Sequence, residues 1–304
     1  MDDPPSPEQI KWMPNLFIAG VPKAGTSSVH QWIADHPDAT GSREKETYFF
    51  VDADTHMYRP KAHISQGYES WRDQFEESRH GNFNVIVEST PSYIYSKTAH
   101  SNIPKLSHDP KCLFIVREPS EQIYSLYNYF RNNWSWIPVS MDFSEFVDAA
   151  RSKTCRFNGN ELAQNALENA EYARHLLKWR QQLGENRMMV RNFDDIRLDQ
   201  KGFIKDVASW IGLDPEFYET YDFPRENETY VPTNHLLQRL NVAVRHLLPR
   251  GAAYNRLRAL YHAVNTSKNI PMQSERDAIV LARLRGEFEE ANAELAAEFG
   301  IHFQ

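Results

Sequence analysis

Short, wholly apolar runs separated by helix-patterned stretches set the rhythm of the chain. Asn15-Leu16-Phe17-Ile18-Ala19, closed by Gly20, has no polar alternation, and so predicts a strand buried on both faces in a parallel sheet. Asn84-Val85-Ile86-Val87-Glu88 and Lys111-Cys112-Leu113-Phe114-Ile115-Val116-Arg117 repeat that pattern, and Arg187-Met188-Met189-Val190 gives a fourth strand. Between them the period changes. Val29, Trp32 and Ile33 share one face of a helix from Thr26 to Asp35, stopped by His36-Pro37-Asp38 because proline cannot continue the hydrogen-bond ladder. Ile123, Tyr124, Tyr127 and Phe130 share a face of a second, from Ser120 to Asn132, and this spacing makes packing their default role. Further helices are expected from about Glu161 to Leu183 and from Ser274 to Phe299. Strands alternating with helices predict an α/β fold with a central parallel sheet flanked by helices and a helical C-terminal part. Prolines at 4, 5 and 7 make residues 1–12 a disordered or extended tail, and no Gly- or Ser-rich linker splits residues 13–304, which are expected to be a single domain.

Composition narrows the function. No apolar run in the 304 residues approaches a bilayer span, and mean hydropathy is −0.64. The formal net charge is −7 without a long basic run, which argues against a nucleic-acid-coating surface. It argues more weakly against a polyanionic acceptor and favours a neutral or cationic one. Two cysteines, Cys112 and Cys155, make neither a disulfide framework nor a multi-cysteine zinc site. With no basic-then-apolar leader, the chain is expected to be cytoplasmic.

The turn after the first strand, Gly20-Val21-Pro22-Lys23-Ala24-Gly25-Thr26-Ser27, carries the first chemical signal. Glycines let the backbone turn tightly, and the following helix start offers unpaired N–H groups and partial positive charge to an anion. Thr26, Ser27 and Ser28 add hydroxyl donors, and Lys23 can place its ammonium inside the curl. This makes the expected fold P-loop-like and three-layered. The nucleoside-triphosphate loop G-x-x-x-x-G-K-[ST] keeps its lysine after the second glycine, whereas here Thr26 holds that place and the lysine comes three positions earlier. An ammonium inside the loop lies nearer a group on the first phosphate than a triphosphate tail. Such a turn can also contain Gly and Ser for geometry alone.

A second anion site is expected after the third strand. Arg117 stands at a strand's carboxyl end, where open α/β sheets bind ligands and a guanidinium can fork onto phosphate oxygens. Ser125, two turns into the next helix, could donate to the same anion. The alternative is an Arg117 paired with a carboxylate and a Ser125 on a plain helix surface.

Together these segments resemble the sulfotransferases that use 3′-phosphoadenosine 5′-phosphosulfate (PAPS), in particular their bacterial and glycosaminoglycan branch. The Gly20–Ser27 turn is similar to the family's 5′-phosphosulfate loop, and Ile115-Val116-Arg117-Glu118-Pro119 with Ser125 and Tyr127 to its 3′-phosphate motif. His36-Pro37-Asp38 leading to Glu46-Thr47-Tyr48-Phe49-Phe50, then Glu88-Ser89-Thr90-Pro91-Ser92-Tyr93, and Tyr172 to Trp179 continue the likeness to about residue 213. The resemblance implies that Lys23 contacts the oxygen bridging phosphate and sulfuryl group. It implies that Gly25, Thr26 and Ser27, in a loop with Ala24 and Ser28, bind the 5′-phosphate, and that Arg117 and Ser125 bind the 3′-phosphate. It also implies a Lys-Gly or Arg-Gly lid that this sequence does not display; Arg225, Arg239 and Arg245 are the nearest candidates.

The expected function is sulfuryl transfer from PAPS to a hydroxyl, or an amine, of a small-molecule acceptor, releasing adenosine 3′,5′-bisphosphate (PAP) without a metal. An alcohol must lose its proton as it attacks, so a carboxylate or imidazole should stand nearby. Glu46 is the first candidate, by its match to the family's acid/base; otherwise it is a surface acid in Arg43-Glu44-Lys45-Glu46. Glu88 is the second, because it ends a buried strand facing the same crevice, and otherwise it is a structural ion-pair acid. His56 and His63 are further candidates, and Trp134 and Trp136 could line an acceptor pocket. Two other readings stay open: a P-loop kinase or nucleotide hydrolase, and a noncatalytic nucleotide-binding protein.

Overall fold

In the computed structural model, which describes residues 5–6, 9, 11–76, 78, 81–224 and 274–303, five strands form one sheet. They are β1 (Leu16–Gly20), β2 (Ala39–Gly41), β3 (Val85–Glu88), β4 (Lys111–Val116) and β5 (Met188–Asn192), in spatial order β2-β3-β1-β4-β5. Every neighbouring pair is parallel. The α-helices among the described residues are α1 (Thr26–Ala34), α2 (Lys97–Asn102), α3 (Pro119–Asn132), α4 (Phe143–Ser152), α5 (Glu161–Gln164), α6 (Ala166–Asn169), α7 (Tyr172–Leu183), α8 (Phe193–Leu198), α9 (Gln200–Ile211), α10 (Glu275–Glu287) and α11 (Glu289–Phe299).

The chain falls into two compact units: residues 1–118, 171–226 and 288–304 form one, residues 119–170 and 227–287 the other. The first holds the whole sheet. β1, β3 and β4 bury nearly every residue, which is why they read as unbroken apolar runs, whereas the edge strand β5 is half-buried along its middle. β1 lies between β3 and β4: the chain first crosses to the edge at β2, steps back in to β3, then passes β1 to add β4 and β5 on the other side. That reversal puts a crevice beyond the carboxyl ends of β1 and β4, the usual ligand position in such sheets. After Ile18 the β1–β4 register slips so that Gly20 faces Phe114, and Val21 N–H then donates to Ile115 O at 2.8 Å. The strand pairing thus reaches into the turn.

Helices flank the sheet. α7 turns Tyr172, Ala173, Leu176, Trp179 and Leu183 inward, and Trp179 donates its indole N–H to Ile94 O. The aromatic residues after β2 are core: Phe49 stacks on Trp71 at 4.3 Å between centroids, and Phe50 meets Trp71 edge-on at 5.3 Å. Trp12, at the end of the expected tail, is 4% exposed and stacks on Phe75, while Ser78 Oγ donates to its carbonyl. Burial of a large apolar ring contributes about 1.5–3 kcal/mol, enough to anchor this end of the chain.

In the second unit α3, α4 and α10 pack around Tyr127, Phe143, Phe146 and Leu284. Tyr127 and Phe130 are buried as their spacing predicts, while Tyr124 is only half-buried and donates to Asp277 Oδ2 at 3.1 Å. Trp134 and Trp136 stack on each other at 4.7 Å, and Trp136 stacks on Phe130.

Two expectations need correction, and one strand went unpredicted. The helix expected from Glu161 to Leu183 is three pieces, because Asn165 and Glu171 leave helical geometry. The one expected from Ser274 to Phe299 breaks at Phe288 (φ −92, ψ 3) into α10 and α11. The edge strand β2 gave no signal, since Ala39-Thr40-Gly41 is short and carries no large apolar side chain.

Candidate functional site

The turn from β1 into α1 is shaped by two departures into positive φ, one on either side of Ala24. Lys23 sits at φ 69 and Gly25 at φ 76, ψ 6. Gly25 is the N-cap of α1, where a Cβ would lie 2.9 Å from Phe193 Cε2. Glycine is therefore required twice over, by conformation and by space. Having no side chain, it leaves the first amides of α1 to be met by something else, and an anion is the natural partner. Ala24 is buried, Thr26 is 4% exposed, and Ser27 and Ser28 are half-buried on the first turn.

Around this turn the structure gathers three cations and one carboxylate. Burial, first, pushes the Lys23 ammonium down from 10.5 to about 8; Lys45 and Arg117 push the same way, and Glu46 opposes them. Lys45 Nζ donates to Thr26 Oγ1 at 3.1 Å and to Glu46 Oε1 at 3.2 Å. The other oxygen of Glu46 accepts from Tyr48 OH at 2.5 Å. Tyr48 itself stands at φ 57, its amide donates to Thr90 Oγ1 at 3.3 Å, and the Arg59 guanidinium lies 5.0 Å from its ring centre. Arg117, just past β4, donates to Lys23 O at 3.4 Å and stacks its guanidinium 5.1 Å from the centre of the Phe193 ring. Phe193, the first residue of α8, thus floors both the glycine turn and the arginine.

Lys23, Ala24, Gly25, Thr26, Ser27, Ser28, Glu46 and Arg117 are therefore together in the sheet-bearing unit. Ser125 lies half-buried on α3 in the other unit. Glu88 has a different surrounding from the open crevice expected for it. It is wholly buried, with Oε1 accepting from Thr47 N–H (3.1 Å), Thr47 Oγ1 (2.8 Å) and Thr90 Oγ1 (2.5 Å), and Oε2 from Thr90 N–H (3.2 Å). Burial raises its carboxyl to about 7 against the pull of those bonds. Its bonds fix Thr47 and Thr90, the residues that flank and hold Tyr48. His63 is also structural: it caps a short helical turn through Ser65 N–H, and its Nε2 meets Val51 O at 3.0 Å. His56 is half-buried in the same loop. Arg225, Arg239 and Arg245 lie outside the described residues. Among the described residues no cluster of three His, Cys, Asp or Glu side chains could hold a metal ion, and no helix is long and apolar enough to cross a membrane.

Sequence reasoning overlooked Lys45 and Tyr48. Lys45 sits in a run of alternating charges that reads as a solvated face, and only the fold turns it toward Thr26. The signal available was its adjacency to Glu46.

Residues 13–234 match the sulfotransferase domain family. Mouse heparan sulfate glucosamine 3-O-sulfotransferase 3A1 is 26% identical over 224 residues, covering 71% of this chain and 52% of that protein. The bifunctional heparan sulfate N-deacetylase/N-sulfotransferase 1 of Caenorhabditis elegans is 21% identical over 218 residues, covering 69% of this chain and 23% of its own length. The chain thus spans about half the length, or less, of these curated relatives. The crystal structure of a sulfotransferase from Alicyclobacillus acidocaldarius superposes with a TM-score of 0.57 over 82% of this chain and 96% of that one, at 20% identity, and shares the fold. Since the family match runs through all five strands and the turns that follow β1 and β4, the chain belongs to the sulfotransferase domain family.

Proposed function

We propose that this protein transfers a sulfuryl group from PAPS to an acceptor hydroxyl and releases PAP. The observation that carries the reading is Lys23, half-buried at φ 69 in a glycine turn, with Lys45, Arg117 and Glu46 acting on its ammonium. The donor is a substrate, consumed in each turnover. Its 5′ end fits the amides of α1 with Thr26, Ser27 and Ser28, and its 3′-phosphate fits Arg117.

In the reaction the acceptor oxygen forms a bond to sulfur while the bond from sulfur to the bridging oxygen breaks. The electron pair leaves on that oxygen, which stays with the 5′-phosphate. Lys23 and the turn amides stabilise the charge that grows there, as fixed donors in a dry site do. The acceptor's proton passes to Glu46, whose oxygens are oriented by Lys45 and Tyr48. Glu88, sealed from the crevice, acts as a positioning residue through Thr47 and Thr90. The sulfuryl unit carries no net charge, so this chemistry does not demand a divalent metal. A kinase or hydrolase of triphosphates is disfavoured by the lysine's place, three positions before Thr26.

The acceptor is taken to be a small molecule, neutral or cationic, given the net charge of −7. The printed names of the relatives favour a second reading, a glucosamine hydroxyl or amine of a glycan. Incubation of the full chain with labelled PAPS and a panel of alcohols, phenols, amines and unsulfated glucosamine oligosaccharides, read by mass, tests both. Label on any hydroxyl acceptor supports transfer, and the acceptor class decides between the readings. Absence of transfer to every member, with PAP still bound, points to the noncatalytic alternative.

A further inference from the structure

Lys45 stands where the donor side and the acceptor side of the site meet. Its ammonium touches Thr26 Oγ1 on the first turn of α1 and Glu46 Oε1, and its side chain is 21% exposed. A lysine ammonium carries three donors, and these two acceptors use two of them. An anion seated on the N-terminal amides of α1, within reach of the Thr26 hydroxyl, is within reach of the same ammonium. Charge points the same way. Lys45 and Arg117 both act on the Lys23 ammonium and Glu46 opposes them, in a protein whose overall charge is negative. The neighbouring His30 is neutral, bonded to Ser89 Oγ at 2.7 Å and pushed down to about 3 by burial and by Lys45, and Glu88 is walled off behind Thr47. Such a cluster is completed by an anion of more than one charge.

We propose that Lys45 is a second cation for the donor's 5′-phosphosulfate and at the same time the positioning residue for Glu46, tying the base to the loop that holds the sulfur. This rests on the sulfuryl-transfer reading above. Lys23 meets the leaving oxygen from inside the curl, while Lys45 reaches the same end of the donor from the acceptor side. One ammonium shared between Thr26 and Glu46 fixes the distance between donor and base, which is the kind of positioning on which an in-line transfer depends.

The test is a double-mutant cycle on PAP affinity by isothermal titration calorimetry, with wild type, Lys45→Gln, Glu46→Gln and the double variant. A charge-assisted hydrogen bond lost from a phosphate weakens binding about 10- to 100-fold. Direct contact predicts that Lys45→Gln weakens PAP by that factor in the wild type and by threefold or more, at about the same scale, in the Glu46→Gln background. Lys45→Arg should restore binding to within about fivefold, because a guanidinium also presents charged donors. If Lys45 merely neutralises Glu46, its replacement costs affinity in the wild type and less than about threefold once Glu46 is gone; that result overturns the proposal. Lys45→Met serves the same cycle should Lys45→Gln fail to fold, as judged by thermal melting. Wild type that binds no PAP at all refutes the sulfuryl-transfer reading itself, a failure distinct from an indifferent Lys45.

Discussion

Replacing Lys23 by Met should make the protein more stable while removing its chemistry. Burial first, then Lys45 and Arg117 against the pull of Glu46, push the Lys23 ammonium down to about 8, against 10.5 in an exposed lysine. That depression corresponds to about 3 kcal/mol of penalty on the charged form, an order-of-magnitude figure. The sign follows from proton counting. Below pH 8 the lysine is charged in both folded and unfolded chains, and the folded state bears the whole penalty. Between pH 8 and 10.5 the unfolded chain binds more protons than the folded one, so stability rises with pH. Met keeps the length and apolar stem, and the φ of 69 strains both residues alike. Denaturant unfolding should therefore show Lys23→Met more stable than wild type by about 2–3 kcal/mol at pH 7, with the gap closing steadily towards pH 10. PAP binding and sulfuryl transfer should be lost together in the variant. A Lys23→Met protein no more stable than wild type, or a gap that ignores pH, would refute the picture of a strained cation kept for an anion.

Gly25→Ala forces a side chain into left-handed backbone against Phe193, and should destabilise by about 1–3 kcal/mol and weaken PAP; thermal melting and calorimetry check both. Glu88→Ala leaves four donors of Thr47 and Thr90 without their acceptor and should lower stability by about 2–4 kcal/mol, seen as a lower denaturation midpoint, with a smaller loss of PAP affinity than at Arg117. Arg117→Ala should weaken PAP about 10- to 100-fold and erode the preference for PAP over adenosine 5′-monophosphate; intact discrimination would move the 3′-phosphate site elsewhere.

Much of the sheet was legible because its strands are buried on both faces and carry no polar alternation. β1, β3, β4 and β5 lie within a residue or two of the apolar runs that announced them. The turn after β1 was legible for a different reason: its glycine spacing and early lysine are local, and the backbone at Lys23 and Gly25 needs no distant partner to be recognised. What escaped was tertiary. Ala39-Thr40-Gly41 pairs only because β3 offers an edge, and the long helix before β5 breaks where no proline or glycine marks it. Lys45 acquires its place from the fold that brings residue 45 against residue 26, and Glu88 acquires its role from two threonines that wrap it. Reading an acid at a strand end as crevice-facing missed that a carboxylate can be consumed by backbone and hydroxyl donors alone.

The central claim is that the Gly20–Ser27 turn and Arg117 grip a nucleoside bisphosphate whose sulfuryl-bearing end meets Lys23. Calorimetric titration of PAP in the presence of a chelator, set against ATP with Mg2+, tests it most directly. The account predicts saturable PAP binding without metal, abolished by Lys23→Met, and far weaker binding of ATP. No heat with PAP, beside tight Mg2+-dependent binding of ATP, would contradict it.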